Sequence, residues 1–353
     1  MEKPNVGVFI GRCQPPHNGH IAAIKFALTK VDSLNIVLGS ACQARTAKNP
    51  WTTDERTDMI LSCLSPDEQD RTNIIPSKDY LYNDNLWLST LQSSLGTVKV
   101  SGSEYDIDDC NVWLYGHEKD RSTYYLNLFP SWNFCETGEL GDIDATRVRG
   151  HYFAGYPNPA LIRENAEYLC SVLPRSVFLT LVKNVGTDDY MRVQAEHQYI
   201  IEYKKKWGEG IFLTVDAILI KSGHVLVVRR KGHPGRGLFA IPGGFLNRDE
   251  RIFDGCLREL KEETKIGLPK DELRKRLVDQ KIFDHPERSL RGRIITNAFC
   301  FDLGAGPLPK VKGDDDAEKA FWMPLRDVAR REEEFFEDHH AIISYFTNRA
   351  FSV

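Results

Sequence analysis

The apolar residues are patterned differently in the two halves of this chain. In the first half, short apolar runs alternate with helical stripes. Residues 6–10 (Val-Gly-Val-Phe-Ile) form a run of the kind that a parallel sheet buries on both faces. Beyond a Gly/Pro/His loop, Ile21, Ile24, Leu28 and Val31 share one helical face, and residues 35–38 return as a second strand. Thr52-Thr53-Asp54-Glu55 has the form of a capping box and predicts a helix through Met59, Ile60 and Leu64. Further strands are expected at 98–100, 112–115 and 132–135, and one or two closing helices at 158–182. Strand, crossover, parallel strand is the pattern of a doubly wound α/β sheet, whose ligands sit at the carboxyl ends of its strands.

After the polar stretch 184–189 the texture changes. Runs 211–220 and 225–228 flank Lys221-Ser222-Gly223-His224, a hairpin signal. Gly-rich loops, a charged helix at 251–264, an alternating strand at 294–301, a strand at 320–322 and a last helix follow, an α+β pattern. Two domains are expected, 1–185 and 186–353, as suits 353 residues when single cores stop growing at about 250–300. With 41% hydrophobic and 27% charged residues the chain is globular, and its net charge of −4 gives no broad footprint for nucleic acid or membrane. Eight cysteines without C-x-x-C spacing form neither a zinc motif nor a disulfide framework. No basic leader precedes the first strand, and no apolar run approaches the ~18–20 residues that span a bilayer. The expectation is a cytoplasmic protein with reduced thiols and no nucleic-acid or membrane partner; a homo-oligomer is left open.

Chemistry concentrates first at residues 11–20, Gly-Arg-Cys-Gln-Pro-Pro-His-Asn-Gly-His, between the first strand and the first helix. A strand end delivers this loop, and the helix N-terminus turns free N–H groups and a positive dipole toward an anion. His17 and His20, three apart, can face one pocket and hold phosphate oxygens as charge develops. The pattern Gly11-Arg12-x-Gln14-Pro-x-His17-x-Gly-His20 resembles the signature of the nucleotidylyltransferase superfamily, in the Arg/Gln variant of archaeal-type nicotinamide mononucleotide adenylyltransferases. Cys13 stands where that family usually has Phe. Residues 143–149 are similar to the family's I-S-x-T-x-x-R, with Asp144 in place of Ser, so Thr146 and Arg149 alone carry over as triphosphate contacts. Ser40, Arg45 and Asn49 lie in segments resembling the nucleotide-contacting loop, Trp87 in a segment where it can stack on a nicotinamide ring, and 116–120 is family-like without a role. The resemblance, over about residues 5–180, implies a Rossmann-like domain. It also implies attack by the nicotinamide mononucleotide phosphate on the α-phosphorus of ATP, giving NAD and pyrophosphate, with Arg12, His17, His20 and Arg149 clamping phosphates.

The second concentration is Gly244-x5-Glu250-x7-Arg258-Glu259-Leu260-x-Glu262-Glu263-x-x-Ile266. Glu259, Glu262 and Glu263 fall at i, i+3 and i+4, one face of a helix, and three such carboxylates call for hard cations, Mg²⁺ or alternatively Mn²⁺. Arg258 can pair with a carboxylate and orient it. This segment resembles the Nudix box at every defined position except Lys265, where Gly is usual, and the substitution is expected to lengthen or redirect the helix end. The resemblance implies a Nudix-fold hydrolase of nucleoside diphosphate derivatives, and residues 233–244 with Arg291 and Arg293 resemble the ADP-ribose pyrophosphatase branch. Glu318, after the acidic run 314–316, is a candidate general base. Both halves together resemble the bifunctional enzymes that join the two activities, with ATP, nicotinamide mononucleotide, NAD and ADP-ribose as small-molecule partners. The rival reading pairs a nucleotidylyltransferase for another acceptor with a nucleotide-sensing Nudix domain.

Overall fold

The computed structural model describes residues 3–117, 127–138, 143–154, 159–313 and 317–350. The segments 118–120 and 314–316 noted in the sequence lie outside them. Contacts divide the chain into two compact units, Met1–Gln194 and Ala195–Val353.

The first unit runs β1 (Asn5–Gly11), α1 (Asn18–Leu28), β2 (Ser33–Leu38), α2 (Thr53–Leu61), α3 (Pro66–Asp70), β3 (Thr72–Pro76), α4 (Asp84–Leu95), β4 (Thr97–Val100), β5 (Ser103–Asp106), β6 (Asn111–Gly116), β7 (Asn133–Glu136), α5 (Ala145–Ala154), α6 (Pro159–Val172), α7 (Arg175–Asn184) and the start of α8 (Asp188–Trp207). Five strands form an all-parallel sheet in the order β3-β2-β1-β6-β7. This is the Rossmann-like, doubly wound arrangement, and the strand order reverses beside β1. Alternate residues of β1 supply both layers. Phe9 packs with Ile24, Leu28 and Ile36 on one face, and Val6 and Val8 with Leu91, Leu95 and Leu114 on the other.

Two local features differ from the apolar pattern. The run at 98–100 is a strand, but it pairs with β5 in a separate hairpin, because Ser101 and Gly102 both take positive φ (49° and 83°) and turn the chain at once. β3 was not foreseen, having only Ile74 and Ile75 as apolar signal. The polar stretch 184–189 ends α7 and starts α8, yet the first turns of α8 pack on the first unit. Tyr190 Oη donates to the Tyr152 carbonyl at 3.1 Å and Gln194 Nε2 to that of Phe153 at 3.1 Å.

The second unit, Nudix-like and α+β, comprises β8 (Ile211–Lys221), β9 (His224–Arg230), β10 (Phe239–Ala240), β11 (Gly243–Phe245), α9 (Ile252–Thr264), α10 (Lys270–Arg276), β12 (Leu277–Phe283), β13 (Arg293–Asp302), β14 (Ala317–Pro324), α11 (Leu325–Val328) and α12 (His339–Ala350). Its mixed sheet has the order β10-β9-β8-β13-β12, with β11 added to β8 and β14 to β9. The β8–β9 hairpin closes through Ser222 (φ 48°) and Gly223 (φ 73°), the two positive-φ residues of a tight hairpin turn. These strands pair only at Ile220↔Val225 and Lys221↔His224. Beyond those pairs β8 takes β11 as neighbour and β9 takes β10 and β14, so the sheet opens into two leaves. The residues of α9 that face the sheet, Cys256 and Leu260, pack with Val215, Ala217 and Phe299.

All eight cysteines are free. Among the described residues, no helix is long and apolar enough to cross a membrane.

Candidate active sites

The N-terminal site grows from the ends of β1 and β2. His17 is the extended residue before α1 (φ −120°, ψ 174°), and its backbone N–H donates to Nδ1 of His20 at 3.3 Å. The two rings stack, with centroids 3.7 Å apart and planes 24° apart. Helix α5 closes the site from above the sequence motif. Arg149 Nη1 donates to the Gln14 carbonyl at 2.8 Å and Nη2 to Thr146 Oγ1 at 3.1 Å. Asp144, which replaces the usual Ser, accepts from the Thr146 N–H at 2.9 Å, so its carboxylate does the N-terminal capping that a hydroxyl would do. Arg12 is exposed beside this loop.

Several residues expected at the substrate are engaged within the protein. The Gln14 side chain is buried; its Nε2 donates to the Trp51 carbonyl at 2.9 Å and its Oε1 accepts from the Trp51 N–H at 3.1 Å. Ser40 is buried with its Oγ on Asp79 at 2.6 Å and its N–H on the same carboxylate at 3.0 Å. Arg45 forks onto Glu55 at 2.9 and 3.0 Å and donates to the Pro50 carbonyl at 2.7 Å. These three side chains brace the 40–52 loop. Asn49 differs: its buried Oδ1 has no hydrogen-bond partner among the described residues. Trp87 packs half-buried in the β1/α4 layer, edge-on to Phe129 at 6.2 Å.

Sequence reading missed the residue that holds these loops together. Arg56, on α2, is fully buried, and its guanidinium donates to the carbonyls of Arg12 (2.6 Å), Gly39 (2.7 Å), Ser40 (3.4 Å) and Thr52 (3.2 Å). In the sequence it stands three and four residues before Met59 and Ile60, on the apolar face of α2, and a charge at that position is the signal that could have found it.

The C-terminal site is organised by Arg258. It forks onto Glu250 (2.8 and 2.9 Å), bonds Glu259 at 2.8 Å and Glu262 at 2.9 Å, and reaches the Phe245 carbonyl at 3.1 Å. Gly244 leaves room for the Glu259 carboxyl, which a Cβ at 244 would approach to 2.6 Å and displace. Burial pushes Glu259 up from the usual carboxylate range. Burial raises Glu263 to about 8, against the lowering effect of the Gly243 N–H that it accepts at 3.0 Å. Asp216, also unforeseen, is buried and raised to about 6 by that burial; Thr296 Oγ1 donates to it at 2.6 Å.

Arg291 lies over Phe245 and Phe336 at 5.6 and 5.7 Å and bonds Ser289, while Arg293 is held by Asp284. Glu318 is exposed on β14.

Helix α9 ends at Thr264, and Lys265 takes the left-handed C-cap conformation (φ 50°, ψ 26°) that Gly usually supplies. The helix is therefore neither lengthened nor redirected; the lysine adopts the strained backbone instead. Lys265→Gly is expected to stabilise this unit by about 0.5–1 kcal/mol, read as a higher midpoint in chemical denaturation, with hydrolytic activity unchanged.

Comparison with known proteins accords with this geometry. Residues 8–124 match the cytidylyltransferase-like family model and 211–346 the NUDIX domain model. Over 156 residues the chain is 38% identical to a nicotinamide/nicotinic acid mononucleotide adenylyltransferase of Acinetobacter baylyi, covering 44% of this chain and 79% of that protein. Over 131 residues it is 34% identical to an ADP-ribose pyrophosphatase of Methanocaldococcus jannaschii, covering 37% of this chain and 70% of that protein. A bifunctional NMN adenylyltransferase/ADP ribose pyrophosphatase from Francisella tularensis, crystallised with AMP and a manganese ion, superposes with a TM-score of 0.85 at 31% identity, over 98% of this chain and 99% of that one. The chain belongs to this bifunctional adenylyltransferase/pyrophosphatase family.

Membership implies a divalent cation at the Nudix helix, and the donor set suits one. Glu259, Glu262 and Glu263 offer hard oxygens, and burial disfavours ionisation of Glu259 and Glu263. Among the described residues no three such groups close as a finished cage, since Arg258 holds Glu259 and Glu262.

Proposed function

We propose that this member of the family makes NAD at its N-terminal site and hydrolyses ADP-ribose at its C-terminal site. One observation carries the reading: each unit gathers charged side chains about an arginine at the sequence motif. Arg149 converges on the loop of His17 and His20, and Arg258 gathers Glu250, Glu259 and Glu262.

In the first reaction a phosphate oxygen of nicotinamide mononucleotide attacks the α-phosphorus of ATP and pyrophosphate leaves. Phosphoryl chemistry of this kind rests on positioning and charge stabilisation. Arg12, His17, His20 and Arg149 hold the phosphates, with Thr146 beside them and Gly11 in the same substrate-binding loop. Asn49 accepts from the bound nucleotide, Trp87 lines the nicotinamide subsite, and Gln14, Ser40 and Arg45 keep the loop in place.

In the second reaction water attacks the diphosphate of ADP-ribose, giving AMP and ribose 5-phosphate. Glu259, Glu262 and Glu263 would hold Mg²⁺ or Mn²⁺. When bound, the cation supplies neutralisation of the diphosphate charge. Arg258 orients the helix carboxylates, Gly244 leaves room for Glu259, and Arg291 and Arg293 contact the terminal ribose phosphate. The Nudix carboxylates and their Arg258 clamp are all present, which favours catalysis over nucleotide sensing alone. A cytoplasmic setting goes with NAD metabolism and eight free thiols.

His20→Ala is expected to lower NAD formation by about 10²–10³ and leave ADP-ribose hydrolysis intact; Glu262→Gln does the reverse. Parallel assays of both reactions on each purified variant check this. Loss of both activities in either variant would contradict two independent sites.

A further inference from the structure

Strand β12 ends the C-terminal sheet, with β13 on one side and no strand on the other among the described residues. A seven-residue edge invites pairing unless something blunts it. Its sequence, Leu277-Val-Asp-Gln-Lys-Ile-Phe283, is chemically self-complementary about Gln280. Antiparallel pairing with a second copy, centred on Gln280, sets Asp279 opposite Lys281 of the other copy. It also sets Val278 opposite Ile282 and Leu277 opposite Phe283, twice each by symmetry. A one-residue slip in either direction takes Asp279 away from Lys281 of the other copy.

The structure supports this edge being open. Val278 and Ile282 are 58% and 56% exposed, and Gln280 between them is exposed as well. The Gln280 N–H donates to Asp279 Oδ1 at 2.8 Å, so at the centre of the strand the donor is turned away from β13. Register β12↔β13↔β8 places Ile282, Ile295 and the exposed Ile211 and Leu213 on one sheet face, with Asn297 between Ile282 and the rest accepting from Gln280 Nε2 at 2.7 Å. The bulge against β13 lies between Leu277 and Asp279, at one end of the segment, and the pairing is centred beyond it.

We propose that β12 joins two copies of this chain through antiparallel β12–β12 pairing about Gln280, making one continuous sheet from two C-terminal units. The Asp279–Lys281 cross-pairs specify a second copy of the same strand, because they are satisfied only when the incoming segment carries the same order of charges. On pairing, Asp279 releases the Gln280 N–H to the facing strand and turns to the partner's lysine.

Charge reversal tests the pairing by sedimentation equilibrium of the full chain. The wild type is expected to dimerise in the micromolar range. Asp279→Lys and Lys281→Asp each place like charges opposite one another at two symmetric positions and weaken association by about tenfold or more. The double reversal, Asp279→Lys with Lys281→Asp, recreates the complement and regains the wild-type association. Gln280→Pro abolishes it by removing the central donor. Circular dichroism of each variant establishes that the unit is folded. A monomeric wild type overturns the proposal, as does a dimer indifferent to the single reversals or a double reversal no stronger than the singles.

Discussion

Replacing Arg288 with methionine is expected to destabilise the C-terminal unit by about 3–5 kcal/mol, enough to unfold many domains near physiological temperature. Arg288 and Asp338 form a two-pronged ion pair, Nε to Oδ2 and Nη2 to Oδ1 at 2.8 Å each, with side-chain exposures of 3% and 0%. The pair joins the loop before β13 to the residue that precedes α12. With the guanidinium gone, the Asp338 carboxylate is stranded in the interior, and that desolvated charge is the larger part of the loss. Asp338→Asn added to Arg288→Met removes the stranded charge and is expected to recover part of the stability. Thermal or denaturant unfolding of both variants decides the matter; equal instability of the single and double variants would mean the loss comes from packing instead.

The second large effect is expected at Arg56. Its five-donor fork ties the ends of β1 and β2 to the start of α2, so Arg56→Met leaves carbonyls of Arg12, Gly39, Ser40 and Thr52 in a buried space with one donor set removed. A shift of about 1 Å in the phosphate loop is enough to cost 10²-fold in rate, and NAD formation should fall by at least that. Arg56→Lys should rescue poorly, because an ammonium cannot span carbonyls arranged for a planar fork. The ADP-ribose hydrolysis of the same chain is the internal control and should be unchanged. If both activities fell together, the effect would be global unfolding rather than loop placement.

What could be read in advance follows from the range over which each signal acts. The apolar runs at 6–10 and 35–38 needed no partner to be recognised, and neither did the Ser222-Gly223 turn or the periodic carboxylates of α9. β3 escaped because its strand character comes from β2 beside it, and the strand expected at 98–100 is present but belongs to a hairpin, because the chain turns at Ser101 and Gly102. The site residues divide in the same way. His17, His20 and the α9 glutamates stand close together in sequence. Arg56 with the carbonyls of Arg12 and Gly39, Asp216 with Thr296, and Arg288 with Asp338 are matched only after folding, across 44, 17, 80 and 50 positions. Gln14, Ser40 and Arg45 carry polar groups suited to a nucleotide, and only in the folded chain are they met by Trp51, Asp79 and Glu55.

The contact between Gly244 and the Glu259 carboxyl bears on how such a unit diverges. A single methyl group at 244 would lie 2.6 Å from the Glu259 carboxyl, so that side chain would have to shift although no residue of α9 had changed. A substitution outside the acidic motif can therefore change where one of the Nudix-box carboxyls sits without altering any of the glutamates.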